Sequence, residues 1–542
     1  RRQRQMCIRD RLIPVGVIFL REVMNTRIRG RKDVEKLPLP FLGEIPQWGD
    51  NGRSLFGKKK KKREPAADSI VVREGKRDVI NEAFRVLRTN LEFVVGKSEK
   101  SNVIILTSFN PGSGKSFLAM NIAMSLAIKG RRVLIIDGDL RHGSTSAYVG
   151  SPRHGLSDYL GFRTDKVEEI IVRDKEYENL SILPVGTIPP NPTELLEESR
   201  FGELIARLRA DYDYILIDCP PIEVVADTHI IEKVADRTLF VVRAGLLERS
   251  MLSVLENIYR EKKFKNMALI LNGTDGQSGY YGYGNRYGYH YGYGYHYDSG
   301  SHMWPFTRSC SLAESGLFEG FTDWHSHILP AVDDGVRSVE EALEILHGYD
   351  ALGMKTVWLT PHIMEDMPNT PESLKRKFEE LRTAYSGRIG LHLAAEHMLD
   401  NLFDERLDGN DLLPIGQRGD HLLVETSYFN PPLDLEGTLC RIRSCGYYPL
   451  LAHPERYVYM SRKDYRRLHE AGVRFQLDLF TLAGMYGKRA TECAGWLLEQ
   501  GFYDAAGTDI HRKAVCDRIR GFRLSRKICT ALTALCRDSD GL

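Results

Sequence analysis

The chain has 542 residues, 42% of them hydrophobic and 27% charged, which is long and mixed enough for two or three soluble domains with full cores. Its formal net charge of +2 gives no support to bulk nucleic-acid binding. The nine cysteines form no CxxC pair and none has an arginine six positions later, which argues for a reducing compartment and against a thiol-dependent phosphate loop.

Residues Arg1 to Arg11 do not continue a membrane span and read as a non-native lead. Leu12 to Leu20 (LIPVGVIFL) is apolar but short of the roughly 20 residues a spanning helix needs. A buried strand is one reading. The cations that follow, Arg21, Arg27, Arg29, Arg31 and Lys32, favour the end of a truncated membrane helix leaving on the cytoplasmic side of a bacterial inner membrane. Residues 1–32 are assigned to this lead and 33–67 to a linker. The linker carries six consecutive cations, Lys58 to Arg63, either solvated or held by anionic lipid heads.

From 68 to 275 apolar β-branched runs alternate with helical patterns. The runs are Val103–Leu106, Val133–Ile136, Ile215–Ile217, Leu239–Val242 and Ala268–Leu271. Phe117–Lys129 and Pro192–Ala210 are helical. The alternation predicts an α/β fold with a parallel sheet. The first run leads into NPGSGKS, Asn110 to Ser116, and then into a helix. This is the context of a P-loop. Gly112, Ser113, Gly114 and Lys115 would wrap phosphates with backbone N–H groups, Lys115 would meet the β and γ oxygens, and Ser116 would hold Mg²⁺. The usual first glycine of the motif is Phe109. Asp137 and Asp139 (VLIIDGDLR) and Asp218 (YILIDCPP) stand just past buried strands, where parallel sheets bind ligands. One would hold the metal and another take the proton of an attacking hydroxyl.

PGSGKS, DGDLR, IDCPP and EAFRVLRTNL (Glu82 to Leu91) together resemble the bacterial tyrosine kinases of capsule and exopolysaccharide synthesis. The likeness spans about residues 12 to 300. It implies ATP and Mg²⁺, catalytic roles for Lys115, Asp137, Asp139 and Asp218, and a homo-oligomeric ring through Glu82, Arg85 and Arg88. By itself that last pattern is an ordinary charged helix face. Partitioning and septum-site ATPases share the Walker elements but carry a lysine where this chain has Asn110.

Between the two modules, residues 276–316 form a tail and linker. Its core is YYGYGNRYGYHYGYGYHY, with tyrosines 280, 281, 283, 287, 289, 291, 293, 295 and 297. Such a tract reads as sticky, low-complexity sequence. Beside a tyrosine kinase it reads as an autophosphorylation tail presented to a neighbouring subunit: Tyr280, Tyr281, Tyr283, Tyr287, Tyr289, Tyr291, Tyr293, Tyr295 and Tyr297 become candidate phosphorylation sites. Gly300–Met303 (GSHM) leaves open a natural or an artificial join.

The second module, 317–542, opens with FTDWHSHILPAVDDG. His325 and His327 at i and i+2 share a face of an extended strand and converge on one point, as metal ligation needs. Later strands end at His362, Glu396 with His397, Glu425, His453 with Glu455 and Arg456, and Asp509 with His511. Helical patterns intervene at Val339–Leu352, Pro371–Tyr385 and Lys463–Ala471. Donors at successive strand ends predict a (β/α) barrel with a polynuclear metal site at its carboxyl face. DWHSHILPAVDDG, TPH, ETS, AHPERY and TDIH resemble the PHP (polymerase and histidinol phosphatase) superfamily, in particular the manganese-dependent tyrosine phosphatases of capsule operons. The resemblance implies a distorted barrel and the ligands His325, His327, Asp334, His362, Glu396, Glu425, His453, Asp509 and His511. Asp323 is implied as a ligand or a ligand's support, and Arg456 as the phosphate clamp. Arg512 and Arg518 compete for a second clamp. Mn²⁺ is the metal implied, with Fe or Zn²⁺ compatible.

The expected function is an ATP-dependent tyrosine autokinase with an opposing phosphatase, serving polysaccharide polymerisation and export at the inner membrane. A barrel that acts on small phosphoesters, or a nucleotide-gated scaffold of an export complex, are the alternatives.

Overall fold

A computed structural model describes residues 26–48, 70–274 and 309–538, apart from 77, 97–100, 175–176, 223–226, 313–314 and 368. The chain divides into two compact units between Tyr291 and Gly292, outside the described residues. The expected membrane segment, the cation run and the tyrosine tract also lie outside them. Among the described residues no helix is long and apolar enough to cross a membrane.

The first unit is an eight-stranded sheet. Its strands are β1 (Phe41–Pro46), β2 (Asn102–Thr107), β3 (Val133–Asp137), β4 (Val172–Arg173), β5 (Leu180–Leu183), β6 (Tyr214–Asp218), β7 (Arg237–Arg243) and β8 (Ala268–Thr274). Their order is β1-β8-β7-β2-β6-β3-β5-β4. All pairs are parallel except β4 with β5. The helix Lys115–Ile128 is apolar nearly all round because it is covered twice. It shares one core with the sheet residues Ile104, Ile135 and Leu216 and with the helix Val79–Val95. Phe84 meets Phe117 edge-on at 5.8 Å. Its buried Asn121 is satisfied by accepting from Val71 N at 2.8 Å and Val72 N at 3.1 Å.

Three expectations shift here. Phe41–Pro46, expected within the linker, is the edge strand of the sheet, with Leu42 and Ile45 wholly buried. Pro46 is tolerated because an edge strand does not need every N–H. Ile28, expected in the lead segment, is also buried and donates its N–H to Leu247 O at 2.9 Å. The single helix expected over Pro192–Ala210 is two, Pro192–Glu197 and Ser199–Leu208, broken where Glu198 turns extended (ψ 142°).

The second unit begins with β9 (Ser309–Ser311), paired antiparallel to β19 (Arg523–Ser525), so its fold starts before Leu317. Between them run β10 (Thr322–Ser326), β11 (Thr356–Leu359), β12 (His362–Ile363), β13 (Gly390–Leu393), β14 (Glu396–Met398), β15 (His421–Glu425), β16 (Tyr448–Ala452), β17 (Arg474–Asp478) and β18 (Tyr503–Gly507). β11 and β12 are one strand interrupted at Thr360–Pro361, and β13 and β14 one interrupted at Ala394–Ala395. All neighbours pair in parallel. The ring closes where Asp509 N donates to His325 O at 2.8 Å and His327 N to Ile510 O at 3.0 Å. The result is a seven-stranded parallel barrel. Inside it Trp324, Trp358, Leu423, Leu450, Ala452 and Ala505 form a buried plug. Leu423 stands two residues before Glu425 and Ala505 four before Asp509, so on these two strands the plug lies beneath the donors.

Candidate active sites

In the first unit β2 lies between β6 and β7, the point where strand order reverses and α/β sheets bind ligands. The loop after β2 depends on two left-handed glycines, Gly112 at φ 75° and Gly114 at φ 87°. A Cβ on Gly114 would stand 2.2 Å from Asn272 Nδ2, the amide that donates to Ser113 O at 2.8 Å. Lys115 is buried at the start of the helix and donates to Ser108 Oγ at 3.2 Å. Burial lowers its pKa, opposed by Asp218 and Asp139.

Asp137 and Asp218 are register partners across β3 and β6. Ser116 Oγ and Thr145 Oγ1 donate to Asp218 Oδ2 at 2.5 and 2.7 Å. Ser146 N and Oγ each donate to Asp137 Oδ2 at 2.7 Å. The other oxygen of each carboxylate, Asp137 Oδ1 and Asp218 Oδ1, is buried with no hydrogen-bond partner. Burial, and then Asp218 beside it, pushes Asp137 up to about 7; burial also raises Asp218. Two crowded carboxylates with vacant lone pairs next to a P-loop serine fit Mg²⁺, which takes oxygen ligands. Asp139 lies at the turn beyond β3, 3.2 Å from His142 Nδ1. Thr145 and Ser146, which hold the two carboxylates, had no signal in the sequence beyond nearness to DGDLR.

On the helix Val79–Val95, Glu82 accepts two hydrogen bonds from Arg85, at 2.8 and 2.5 Å. Arg88 faces inward instead. It is 3% exposed and donates to Ser125 O and Oγ at 3.2 and 3.3 Å, so it ties the helix to Lys115–Ile128 within one subunit.

In the second unit three overlapping groups of donors each lie within 4.8 Å: His327, Asp334, His362 and His511; His325, His327 and Glu396; and His362, Glu396 and Glu425. His453 Nε2 is 3.1 Å from Glu396 Oε1 and 3.7 Å from Glu425 Oε1. Asp509 Oδ1 is 3.4 Å from His325 Nε2 and 3.2 Å from His327 Nε2. All nine expected ligands therefore converge. Two of them reach inward through left-handed backbone, His453 at φ 32° and Asp509 at φ 48°. Non-glycine residues held there store strain, which the surrounding barrel must overcome.

The charge balance fits cations. Burial disfavours a charged His325, but Glu396 and Asp509 outweigh it and hold it up at about 9. Both of those carboxylates are held well below their usual range against burial, Glu396 chiefly by His325 and His362, Asp509 chiefly by Arg456 and His325. His325 and His327 are thus held protonated in the absence of a metal, which would displace those protons, whereas burial lowers His453 to about 4 and also lowers His511. Mixed imidazole and carboxylate donors shared between three groups suit two or three ions of the Mn²⁺, Fe or Zn²⁺ kind.

Supporting residues orient the ligands. Asp333 Oδ2 lies 2.7 Å from His327 Nδ1, and Gln476 Oε1 2.8 Å from His325 Nδ1. Asp323 is taken up by Thr508 N at 2.8 Å and Thr508 Oγ1 at 2.7 Å and lies outside the three donor groups, so it supports rather than ligates. His397, beside Glu396, points the other way: its ring bonds Leu423 O and Leu413 N, each at 3.3 Å. Arg456 bonds Asp478 and lies 2.7 Å from Asp509 Oδ2, with its guanidinium stacked 3.7 Å over Tyr486. Arg512 donates to Gly335 O, next to Asp334, whereas Arg518 is exposed. Gln476 and Asp478 escaped the sequence reading. Their signal is the alternation of RFQLD, a strand after the helix Arg462–Glu470.

Together these features describe a P-loop module and a parallel barrel whose mouth gathers three overlapping groups of metal-type donors. Residues 321–519 match the family described as capsular polysaccharide synthesis, CpsB/CapC, and residues 101–269 match the AAA domain. The two matches lie on separate stretches of the chain, one in each compact unit. It is 32% identical over 277 residues to the tyrosine-protein kinase wzc of Salmonella typhimurium, across 50% of this chain and 37% of that protein. To the tyrosine-protein kinase etk of Escherichia coli it is 30% identical over 269 residues, across 48% of this chain and 36% of that one. The chain therefore spans little more than a third of these relatives. Among solved structures, the kinase domain of the Escherichia coli tyrosine kinase ETK aligns at 28% identity and TM-score 0.39, covering 47% of this chain and 98% of that one. A metal-dependent tyrosine phosphatase structure, of YwqE from Bacillus subtilis and CpsB from Streptococcus pneumoniae, aligns at 24% and 0.34, covering 35% and 79%.

Proposed function

We propose that the first unit is an ATP- and Mg²⁺-dependent tyrosine autokinase and the second a phosphotyrosine phosphatase, with Mn²⁺ its preferred metal. Both would act in capsular or exopolysaccharide synthesis. The observation that carries the reading is the coexistence in one chain of a P-loop with paired carboxylates and a barrel mouth with three overlapping donor groups.

In the kinase unit Lys115 neutralises phosphate charge, and Ser116 and Asp218 hold the Mg²⁺ side of the nucleotide. Asp137 and Asp218 are crowded and engaged, so Asp139, at the turn beyond β3, is the carboxylate left to accept the tyrosine proton. In the phosphatase unit bound metals would supply Lewis acidity and an activated water. The chain's own residues do the rest. Arg456, immobilised by Asp478, Asp509 and Tyr486, orients the phosphate. The departing phenol, with a pKa near 10, asks little of a general acid.

The tyrosine tract would be the common substrate, reached in neighbouring subunits of a homo-oligomeric ring that works with the polysaccharide export machinery at the inner membrane. Lys115→Met should abolish tyrosine phosphorylation of the full chain; wild-type phosphorylation in that variant defeats the kinase reading. With Mn²⁺ the chain should hydrolyse phosphotyrosine peptide in preference to small aliphatic phosphoesters. The reverse preference contradicts the phosphatase reading.

A further inference from the structure

Arg243 ends β7, the strand beside β2, and has no part in the P-loop motif. Its guanidinium occupies space left by two glycines on different segments. A Cβ on Gly273 would lie 2.6 Å from Arg243 Cζ, and a Cβ on Gly114 would lie 3.5 Å from Nη1. Both glycines are left-handed, at φ 70° and 87°. The arginine is half-buried, and among the described residues its side chain has neither a hydrogen bond nor a carboxylate partner. Burial alone lowers its pKa, with no anion opposing.

An arginine stays charged at any working pH, and a half-buried guanidinium without an anion is unfavourable. The barrel's Arg456 shows the usual solution, with two carboxylates about it. Arg243 instead abuts the glycine that precedes Lys115, at the carboxyl edge of the sheet where the phosphates would lie. The missing anion is then the nucleotide itself.

We infer that Arg243 is a further nucleotide-binding residue, supplying a second side-chain cation to the polyphosphate beside Lys115. This rests on the P-loop unit binding nucleotide. The competing role is a buttress, in which the guanidinium merely fills the space over Gly273 and steadies the loop.

The test is calorimetric titration of the full chain with Mg-ADP and with adenosine, at several KCl concentrations, for wild type and Arg243→Met. A charged hydrogen bond to phosphate is worth roughly 10- to 100-fold in Kd. Mg-ADP should weaken by that factor, adenosine should change by less than about twofold, and the salt dependence of Mg-ADP binding should become shallower. An ADP affinity within about twofold of wild type overturns the inference. So does equal weakening of adenosine, or weakening with an unchanged salt dependence, which is the buttress result. Arg243→Gln serves the same comparison if Arg243→Met does not fold. Absence of Mg-ADP binding in the wild-type chain would sink the kinase reading itself, a separate failure.

Discussion

Adjacent residues on one strand illustrate how side-chain direction decides role. Glu396 and His397 are both buried at the start of β14. Glu396 enters two of the donor groups, while His397 accepts Leu413 N and meets Leu423 O. The sequence marks both as donors; only strand parity and the position of the barrel interior separate them. The isolation of His397 has a titration consequence. Burial holds its pKa at about 4, below the 6.5 of the free side chain. The folded state therefore binds fewer protons than the unfolded state in this window. Stability is complete above pH 6.5 and falls as pH drops through about 4, by ~3 kcal/mol for this group. Denaturation of wild type and His397→Gln across that window should show a flatter pH dependence in the variant. Equal slopes would contradict the assignment.

Among the elements, those with strong local signals were legible. The helix Val339–Leu352 follows the expected bounds, with Ser338 Oγ accepting from Glu341 N at its start. The P-loop and the strand ends bearing Asp137, Asp218, His325 and Glu425 stand where their apolar runs placed them. β1 was not legible. FLGEIP is short, holds a glycine and ends in proline, so it resembles a linker until β8 offers it an edge. β17 was missed because Arg474 and Gln476 interrupt its apolar pattern, although Gln476 is there to hold His325. If β1 is integral to the sheet, Leu42→Ala should cost about 2–5 kcal/mol of stability, because Leu42 is fully buried beneath the helix Val79–Val95. Urea unfolding of the kinase unit checks this. A loss under about 0.5 kcal/mol would return the segment to the status of a linker.

At the scale of the whole molecule the proposed function puts two opposed chemistries in one chain. They differ in what they need. The P-loop unit places a serine, a lysine and two aspartates around the proposed nucleotide site. The barrel gathers nine donors of the kind that suits transition-metal ions. The tyrosines proposed as their common substrate lie in 280–297, outside the described residues. The central claim is that kinase and phosphatase oppose each other through separate metal requirements. The direct measurement follows phosphotyrosine on the purified full chain after ATP and Mg²⁺ are added, with the barrel first loaded with Mn²⁺ or first stripped by a chelator that is then removed. Phosphotyrosine should rise and then decay with Mn²⁺ loaded, and should rise and persist in the stripped chain. Identical time courses in the two preparations, or no phosphotyrosine in either, would contradict it.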